Sequence, residues 1–471
     1  MISSFSALFA RRRGAARLAA ATLVSGLVAA GVIASAGTAS ADETTQSQGG
    51  ATATIGGLKT YGAAVLHDDS GDQDISAGLF EMTVEGGGTL QTYCVDLHNP
   101  TQRDAKYHET PWSGTSLAAG GHAGRIRWIL QNSYPQVNDL ASLAKKAGIR
   151  GGLTEQDAAA GTQVAIWRYS DDADVDAVDP QAEQLADYLH KAARDTAEPQ
   201  ASLTLDAPAV SGRPGELLGP VTVHTDASAV TVTPPMDAAI SGVRIVGEDG
   251  DPVTAAKNGS RLFFDVPADA DAGSAELTVQ ASTTIPVGRA FTSESRSQTQ
   301  ILAGSSESTV SATASATWAK QGAVPALSAA KDCAEKGVDI TVANQGDEDF
   351  TFELMDVEHT IPAGTSTTVT IPLQEDQAYD FTITGPQGTE TRFAGVLDCQ
   401  TQAAEASGLT TQTFSDPSPA TVGGTTATDT NLAETGGSSA TPYIAGTAIG
   451  LVVIGGAALI LLGRKEHDIQ D

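Results

Sequence analysis

The most restrictive feature of this chain is a change of hydrophobic period near residue 199, after which apolar and polar residues alternate in short segments. Up to residue 318 these segments are separated by Gly, Pro and Asp, and they read ASLTLDAP, GPVTVHT, AVTVTPP, SRLFFDVP and SAELTVQAS. Alternation with a period of two is typical of half-buried strands, and a regular series of short strands predicts a sandwich. We therefore expect an all-β sandwich domain at residues 199–318.

Residues 57–198 follow a different pattern, which predicts an α+β domain. The stretch EQDAAAGTQVAIW predicts a helix, because Thr154 stands at its N-cap and Asp157 follows three residues later, as in a capping box. Gln163 shares a face of this helix with apolar residues, so we expect its side chain to point inward. Further helices are predicted around GRIRWIL and after Asp179-Pro180, where Asp caps and Pro takes the first position.

The N-terminus has the pattern of a secretory signal. Four arginines within residues 11–17 precede an apolar run over residues 18–36, and Ala39-Ser40-Ala41 forms a cleavage site of small residues. We expect residues 1–41 to be the signal peptide and residues 42–56, which are polar and rich in Gly and Thr, to be a flexible leader. The alternative is a permanent N-terminal membrane anchor.

The C-terminus has the pattern of a membrane span. Residues 443–463 carry no charged side chain, and a basic tail at residues 464–471 begins with Arg464 and Lys465. A helix crosses a bilayer with roughly 20 apolar residues, and a basic flank favours the cytoplasmic side. The preceding residues, 401–431, are rich in Thr, Ser, Ala and Gly, and we expect them to be a disordered stalk that spans the wall.

The net charge excludes one class of partner. The chain has 57 acidic and 27 basic side chains and a formal charge of −30. Such a surface repels phosphate backbones, so nucleic-acid binding is not expected.

A second series of predicted strands occupies residues 328–400 and includes GVDITVANQG, DFTFELM, STTVTIPL and AYDFTITG. We expect an immunoglobulin-like β domain here. Cys333 precedes its first strand and Cys399 follows its last. In an exported domain of this size, two cysteines at the borders predict a disulfide, which would stabilise the fold by roughly 4 kcal/mol in the chain-entropy model.

That pairing leaves Cys94 alone, within the predicted strand TLQTYCVDL. Four roles are open to it. It could be a hydrolase nucleophile with His98 or His108 as base and Asp96 or Asn99 as orienting group. It could be half of a zinc site with His98, although the domain has no second Cys/His pair. It could be an inert buried thiol, or it could bond to another side chain.

Two motifs carry a resemblance that favours the last role. YCVDL around Cys94 and TQVAIW from Thr162 onward resemble the paired motifs of the thioester domain of Gram-positive surface proteins. Thr162, Gln163 and Ala165 match the Thr-Gln-x-Ala motif of that family, and Gly161 departs from it because Ala is expected there. A mid-helix Gly loosens a helix by roughly 1 kcal/mol. The resemblance implies a covalent bond between Cys94 and the Gln163 side chain, among the apolar neighbours Tyr93, Ile166 and Trp167.

The residues Leu432-Ala433-Glu434-Thr435-Gly436 (LAETG), followed by the apolar span and the basic tail, resemble a sortase signal. The Ala form is similar to the signal read by class E sortases of actinobacteria. The resemblance implies cleavage between Thr435 and Gly436 and attachment of Thr435 to an amine of the peptidoglycan. A plain single-pass anchor is the alternative.

Together these features predict a wall-anchored adhesin that captures an amine-bearing (lysine) surface or matrix protein once, as a covalent binder and not as an enzyme, without a metal or cofactor. The alternative functions are a structural wall protein that cross-links neighbouring cells or molecules, and a tethered cysteine hydrolase.

Overall fold

The computed structural model describes residues 49–69 and 71–400. The expected signal peptide, stalk, sorting motif, membrane span and tail lie outside these residues. Within them, no helix has the length and apolarity required to cross a membrane. The described part of the chain consists mainly of β-sheets, with a small group of helices near its start.

The first part of the chain, up to residue 192, contains five strands and five helices. They are β1 (Thr52–Asp68), β2 (Gly71–Val84), β3 (Thr89–Cys94), β4 (Lys106–Thr110), α1 (Leu117–Gly120), α2 (Ala123–Asn132), α3 (Leu140–Ala147), α4 (Glu155–Ser170), β5 (Val175–Ala177) and α5 (Pro180–Ala192).

The second part, from residue 203 to residue 318, contains eleven strands and one short helix. They are β6 (Leu203–Asp206), β7 (Ala209–Gly212), β8 (Leu217–Thr225), β9 (Val230–Thr233), α6 (Ala238–Ser241), β10 (Arg244–Val246), β11 (Ala255–Ala256), β12 (Arg261–Asp265), β13 (Gly273–Thr284), β14 (Ala290–Ser293), β15 (Gln300–Ser305) and β16 (Glu307–Trp318).

The expected flexible leader is partly a strand. β1 begins at Thr52, inside the segment 42–56, and the side chains of Ala51, Ala53 and Ile55 are at most 2% exposed. The reason is that β1 pairs with both β2 and β4, which come later in the chain. A polar composition therefore did not indicate flexibility in residues 49–56.

The sheet that carries Cys94 is closed into a ring. Its order is β2-β3-β15-β14-β4-β1, and β1 also pairs with β2. β5 pairs with β1 at residues 64–66, in the second half of that strand. A closed ring leaves no free edge among these six strands, so the position of β3 is fixed from both sides.

Two strands of this ring come from the segment expected in the β-sandwich. β14 pairs with β4, and β15 pairs with β3 in a register that places Gln300 opposite Cys94. The expected boundary at 198/199 therefore does not separate the sheets. Periodicity identifies a strand but not its partner, because hydrogen bonds between strands join residues that are distant in sequence.

The remaining strands of the second part form two sheets, of order β10-β12-β8-β6 and β11-β9-β13-β16-β7. β13 and β16 pair along their whole length, from Gly273 opposite Trp318 to Thr284 opposite Glu307. The chain between these two strands, residues 285–306, crosses to the ring and supplies β14 and β15. This crossing joins the apolar core of the two sheets to that of the ring in one cluster.

The third part contains three small antiparallel sheets with their own core. Its strands are β17 (Pro325–Asp332), β18 (Gly337–Asn344), β19 (Phe350–Leu354), β20 (Val357–Ile361), β21 (Thr365–Pro372), β22 (Ala378–Thr384) and β23 (Glu390–Val396). The predicted disulfide between Cys333 and Cys399 is present and closes this part.

Candidate functional site

Cys94 is the last residue of β3, and Gln163 lies in the middle of α4. The local signals for α4 act as predicted: Thr154 accepts a hydrogen bond from the Asp157 backbone, and the Asp157 side chain accepts one from the Thr154 backbone. This pairing satisfies two otherwise unpaired N–H groups at the start of the helix. Both Cys94 and Gln163 are 0% exposed.

The helix α4 is buried on every side over residues 158–167, which include alanines, Gly161 and Trp167. It packs against β1, β2, α2 and α5. A helix that is apolar all round is one that the fold encloses. Gln163 is thus held at a fixed depth, and its carboxamide must find partners inside the protein.

Those partners are the two peptide groups of Cys94. The Cys94 backbone N–H donates to Gln163 Oε1 at 3.1 Å, and Gln163 Nε2 donates to the Cys94 carbonyl oxygen at 2.8 Å. The Cys94 Sγ lies 3.4 Å from Gln163 Oε1. The structure therefore brings the two residues of the expected bond together, as the thiol and carboxamide that would react.

This arrangement favours attack of the thiol on the carboxamide. The Cys94 N–H polarises the Gln163 carbonyl and would stabilise an oxyanion formed by attack of sulfur on the carbon. The Cys94 carbonyl oxygen orients the amide nitrogen, which would be the leaving group. One residue thus supplies both the nucleophile and the groups that orient its target.

The neighbours predicted from the motifs are buried together with the pair. Tyr93 and Trp167 are 0% exposed, as are Thr162, Ala165 and Ile166. The Tyr93 hydroxyl donates to the Tyr134 carbonyl at 3.0 Å, and the Thr162 hydroxyl donates to the Ala158 carbonyl at 2.6 Å. These bonds satisfy the hydroxyl groups of otherwise apolar walls, and the walls exclude water from the pair.

Two effects change the pKa of the buried Cys94 thiol in opposite directions. Burial is the larger, and with the negative charge of Asp171 it raises the pKa of the thiol well above its usual range. The Trp167 indole N–H favours the thiolate and lowers that pKa. The indole Nε1 has no hydrogen-bond partner among the described residues, so it remains available to a sulfur atom that gains charge.

Asp171 is a functional candidate that the sequence reasoning missed. It caps the C-terminus of α4, and its carboxylate accepts hydrogen bonds from the Leu97 backbone and from the Ser170 hydroxyl. Burial raises the pKa of Asp171 to about 7. The signal available in the sequence was its place eight residues after Gln163, two helical turns along the same helix.

The histidines considered as bases lie elsewhere. His108 hydrogen-bonds to Thr52 and Glu294, and burial lowers the pKa of His98. Within residues 49–69 and 71–400, no hydrogen bond joins Cys94 to a histidine. The hydrogen-bond partner of the Cys94 thiol in the described part of the chain is the Gln163 carboxamide, not His98 or His108.

Gly161 has a packing role that the sequence did not reveal. A Cβ placed on it would stand 2.4 Å from the Ala182 carbonyl oxygen and 3.1 Å from the Leu185 Cβ, both on α5. The absence of a side chain thus allows α4 and α5 to approach closely. The departure from the Thr-Gln-x-Ala family pattern at this position is explained by helix packing.

Comparison with solved structures yields weak likenesses. The Bacillus anthracis TIE protein is 16% identical, with 75% of this chain and 81% of that chain covered and a TM-score of 0.25. The thioester domain of the Enterococcus faecium TIE86 protein is also 16% identical, with 59% of this chain and 98% of that chain covered and a TM-score of 0.27. No curated protein matches the chain.

Comparison with protein families is more specific. The model of the C-terminal domain of bacterial phospholipase C matches residues 323–396, which lie in the third part of the fold. The model of the thioester domain matches residues 91–195. This segment, which contains both Cys94 and Gln163, is therefore similar in sequence to the thioester domain.

Proposed function

We propose that the protein is a surface adhesin that captures amines covalently through a thioester between Cys94 and Gln163. The observation that carries the proposal is the pair of hydrogen bonds between the Gln163 carboxamide and the peptide groups of Cys94, with the thiol 3.4 Å from the carbonyl oxygen. The match of residues 91–195 to the thioester domain supports it.

The bond forms by transfer of an acyl group. Cys94 Sγ attacks the side-chain carbonyl carbon of Gln163, and the C–N bond breaks. The thiol proton passes to the leaving nitrogen, which departs as ammonia. Since burial favours the neutral thiol, a proton acceptor is needed, and we assign this role to Asp171, whose charge acts on the thiol.

In the capture step the thioester bond breaks and a new amide forms with an amine of the target. A lysine amine of the target attacks the acyl carbon, Cys94 leaves as a thiol, and Gln163 is joined to the target by an amide. Nothing restores the thioester, so each molecule acts once and is a binder, not an enzyme. Non-covalent affinity saturates near −18 to −21 kcal/mol, a limit that a covalent bond does not share.

Burial protects the thioester until a target docks. Because Cys94 and Gln163 are fully buried, hydrolysis is slow. A small pocket of about 10 Å³ opens at Val95, the neighbour of Cys94, and we propose that it widens when the target docks and admits the lysine side chain. Its lining includes Val95, Ser116, Leu117, His122, Ile126 and Ser170. Docking then supplies selectivity by holding one amine at the acyl carbon.

The intact mass of the purified protein tests the thioester. The mass should be lower than that of the sequence by one ammonia, after allowance for the disulfide. Methylamine should restore a free thiol at Cys94 and leave a methylamide on Gln163. Cys94→Ala and Gln163→Ala should lack the mass loss, whereas Gln131→Ala, on the exposed side of α2, should retain it. A full mass with a titratable Cys94 in fresh wild-type protein would refute the thioester.

Incubation with surface proteins tests the capture step. Wild type should form an adduct that resists boiling in detergent, and Cys94→Ala or pre-treatment with methylamine should abolish it. Adducts composed only of this chain would favour the alternative, a structural wall protein that cross-links sister molecules. An adduct that persists with Cys94→Ala would contradict both.

We further propose attachment to the cell wall, with the second and third parts of the fold as immunoglobulin-like spacers. The support is the order of the LAETG motif, apolar span and basic tail in the sequence, which implies a sortase and peptidoglycan as partners. Replacement of Thr435 should move the protein from the covalent wall fraction to the membrane fraction. Detergent extraction of wild type without wall digestion would indicate a plain membrane anchor instead.

A further inference from the structure

Three carboxylates of the third part converge at one point. They belong to Glu375, Asp376 and Asp398. One carboxylate oxygen from each residue lies within 4.8 Å of one from each of the other two. Glu375 and Asp376 follow β21, and Asp398 follows β23, so the cluster is formed by two separate loops. Among the described residues, this is the only such group of three His, Cys, Asp or Glu side chains.

A second observation distinguishes this cluster from an exposed acidic patch. Asp398 is only 8% exposed, and its Oδ2 accepts a hydrogen bond from Thr299 at 3.0 Å. Its Oδ1 is buried and has no hydrogen-bond partner among the described residues. A buried carboxylate oxygen without a partner is costly, and its presence beside two more carboxylates indicates that a positively charged ligand belongs there.

Further charged groups act on the cluster. Lys331 acts on Asp398 and Lys336 acts on Glu375, but Asp96, which is 1% exposed, adds another buried carboxyl group whose Oδ1 is also unpartnered. Carboxyl groups of the third part and of the segment after β3 thus lie close to one another.

We infer that Glu375, Asp376 and Asp398 bind one calcium ion. All the donors are carboxylate oxygens, the ligands that hard divalent cations prefer, and calcium accepts six to eight oxygens in flexible geometry. One Glu375 oxygen already accepts from the backbones of Cys399 and Gln400, at 2.7 and 2.9 Å, which leaves the other oxygen for the ion. Magnesium demands a stricter octahedron and keeps its waters more tightly, so we expect it to bind more weakly.

The position of the site gives the ion a mechanical role. Asp398 bonds to the Thr299 side chain, and the Thr299 carbonyl oxygen accepts from the Val95 backbone at 3.1 Å. Val95 follows Cys94 directly. Bound calcium would thus tie the third part to the strand segment at the reactive cysteine, independently of whether the thioester forms.

Equilibrium dialysis of the chelator-treated full-length protein against calcium tests the site. Calcium sites of extracellular modules have dissociation constants of about 0.1 to 1 mM, so about one ion per chain should bind in this range. Asp398→Asn and Glu375→Gln should each weaken binding at least tenfold. Glu358→Gln, an exposed acid on β20 of the same part, is the matched control and should bind as wild type.

Thermal unfolding separates loss of the site from loss of the fold. Calcium should raise the midpoint of wild type and of Glu358→Gln but not that of Asp398→Asn. In chelator, Asp398→Asn should be at least as stable as wild type, because it removes a repulsive charge. Absence of calcium binding by wild type, equal binding of magnesium, or unchanged binding by Asp398→Asn would each overturn the inference. The intact mass, read in the same samples, reports on the thioester separately.

Discussion

Replacement of Gly161 by Ala examines the packing that positions Gln163. Helix propensity alone predicts that Ala stabilises α4 by roughly 1 kcal/mol. The structure predicts the opposite sign, because the new Cβ would stand 2.4 Å from the Ala182 carbonyl oxygen. That atom belongs to the backbone of α5, so relief requires movement of a whole helix and not rotation of one side chain.

The magnitude follows from the two opposing effects. Overpacking of a well-packed core costs about 1 to 3 kcal/mol, and a backbone contact as close as this one belongs in the upper part of that range. After the gain in propensity is subtracted, the net destabilisation is about 1 to 2 kcal/mol. Since α5 resists the added methyl, α4 should shift relative to β3, and the distance between Cys94 and Gln163 should increase.

Hydrogen exchange of peptides from α4 is the appropriate measurement, because it reports local opening in a chain with several parts. A loss of one to two kcal/mol corresponds to exchange that is roughly 5 to 30 times faster. The fraction of molecules with the thioester mass should also fall. Gly120→Ala is the control, because Gly120 also lies in a helix and has nothing within 4 Å of its added Cβ. Slower exchange in Gly161→Ala than in wild type would refute the packing argument.

Two further predictions concern buried charges. Because burial raises the pKa of Asp171 from 3.8 to about 7, the folded state binds its proton more tightly than the unfolded state does, so the free energy of unfolding should fall between about pH 4 and 7 by up to about 1.4 kcal/mol per pH unit. Asp171→Asn should flatten this slope in urea unfolding with chelator present, and an unchanged slope would contradict the assignment. Arg289 bonds Glu109 at 2.8 Å with both side chains at most 4% exposed, so Arg289→Met should cost about 3 to 5 kcal/mol. Arg244→Met, which breaks an exposed pair with Asp265, should cost less than about 1 kcal/mol. Thermal unfolding of the two variants measures both costs, and equal losses of stability would argue against a special role for burial.

The sequence alone determined the features that depend on neighbouring residues. The capping box of Thr154 and Asp157 and the start of α5 at Asp179-Pro180 form as predicted. The strand predicted over residues 89–97 also forms, although it ends at Cys94. Each depends on hydrogen bonds or side-chain periods within a few residues, which local sequence specifies. The disulfide was also predictable, because two cysteines bordered one series of strands.

Only the tertiary structure decided which distant segments meet. The segment that contains β14 and β15 was expected in a separate sandwich, yet these strands flank β4 and β3 and complete the ring around the site. Asp171 and the acidic cluster at Asp398 likewise depend on loops that approach through space. The physical reason is that backbone hydrogen bonds and burial join residues without regard to their separation in the chain, whereas periodicity reports only which face of an element is apolar.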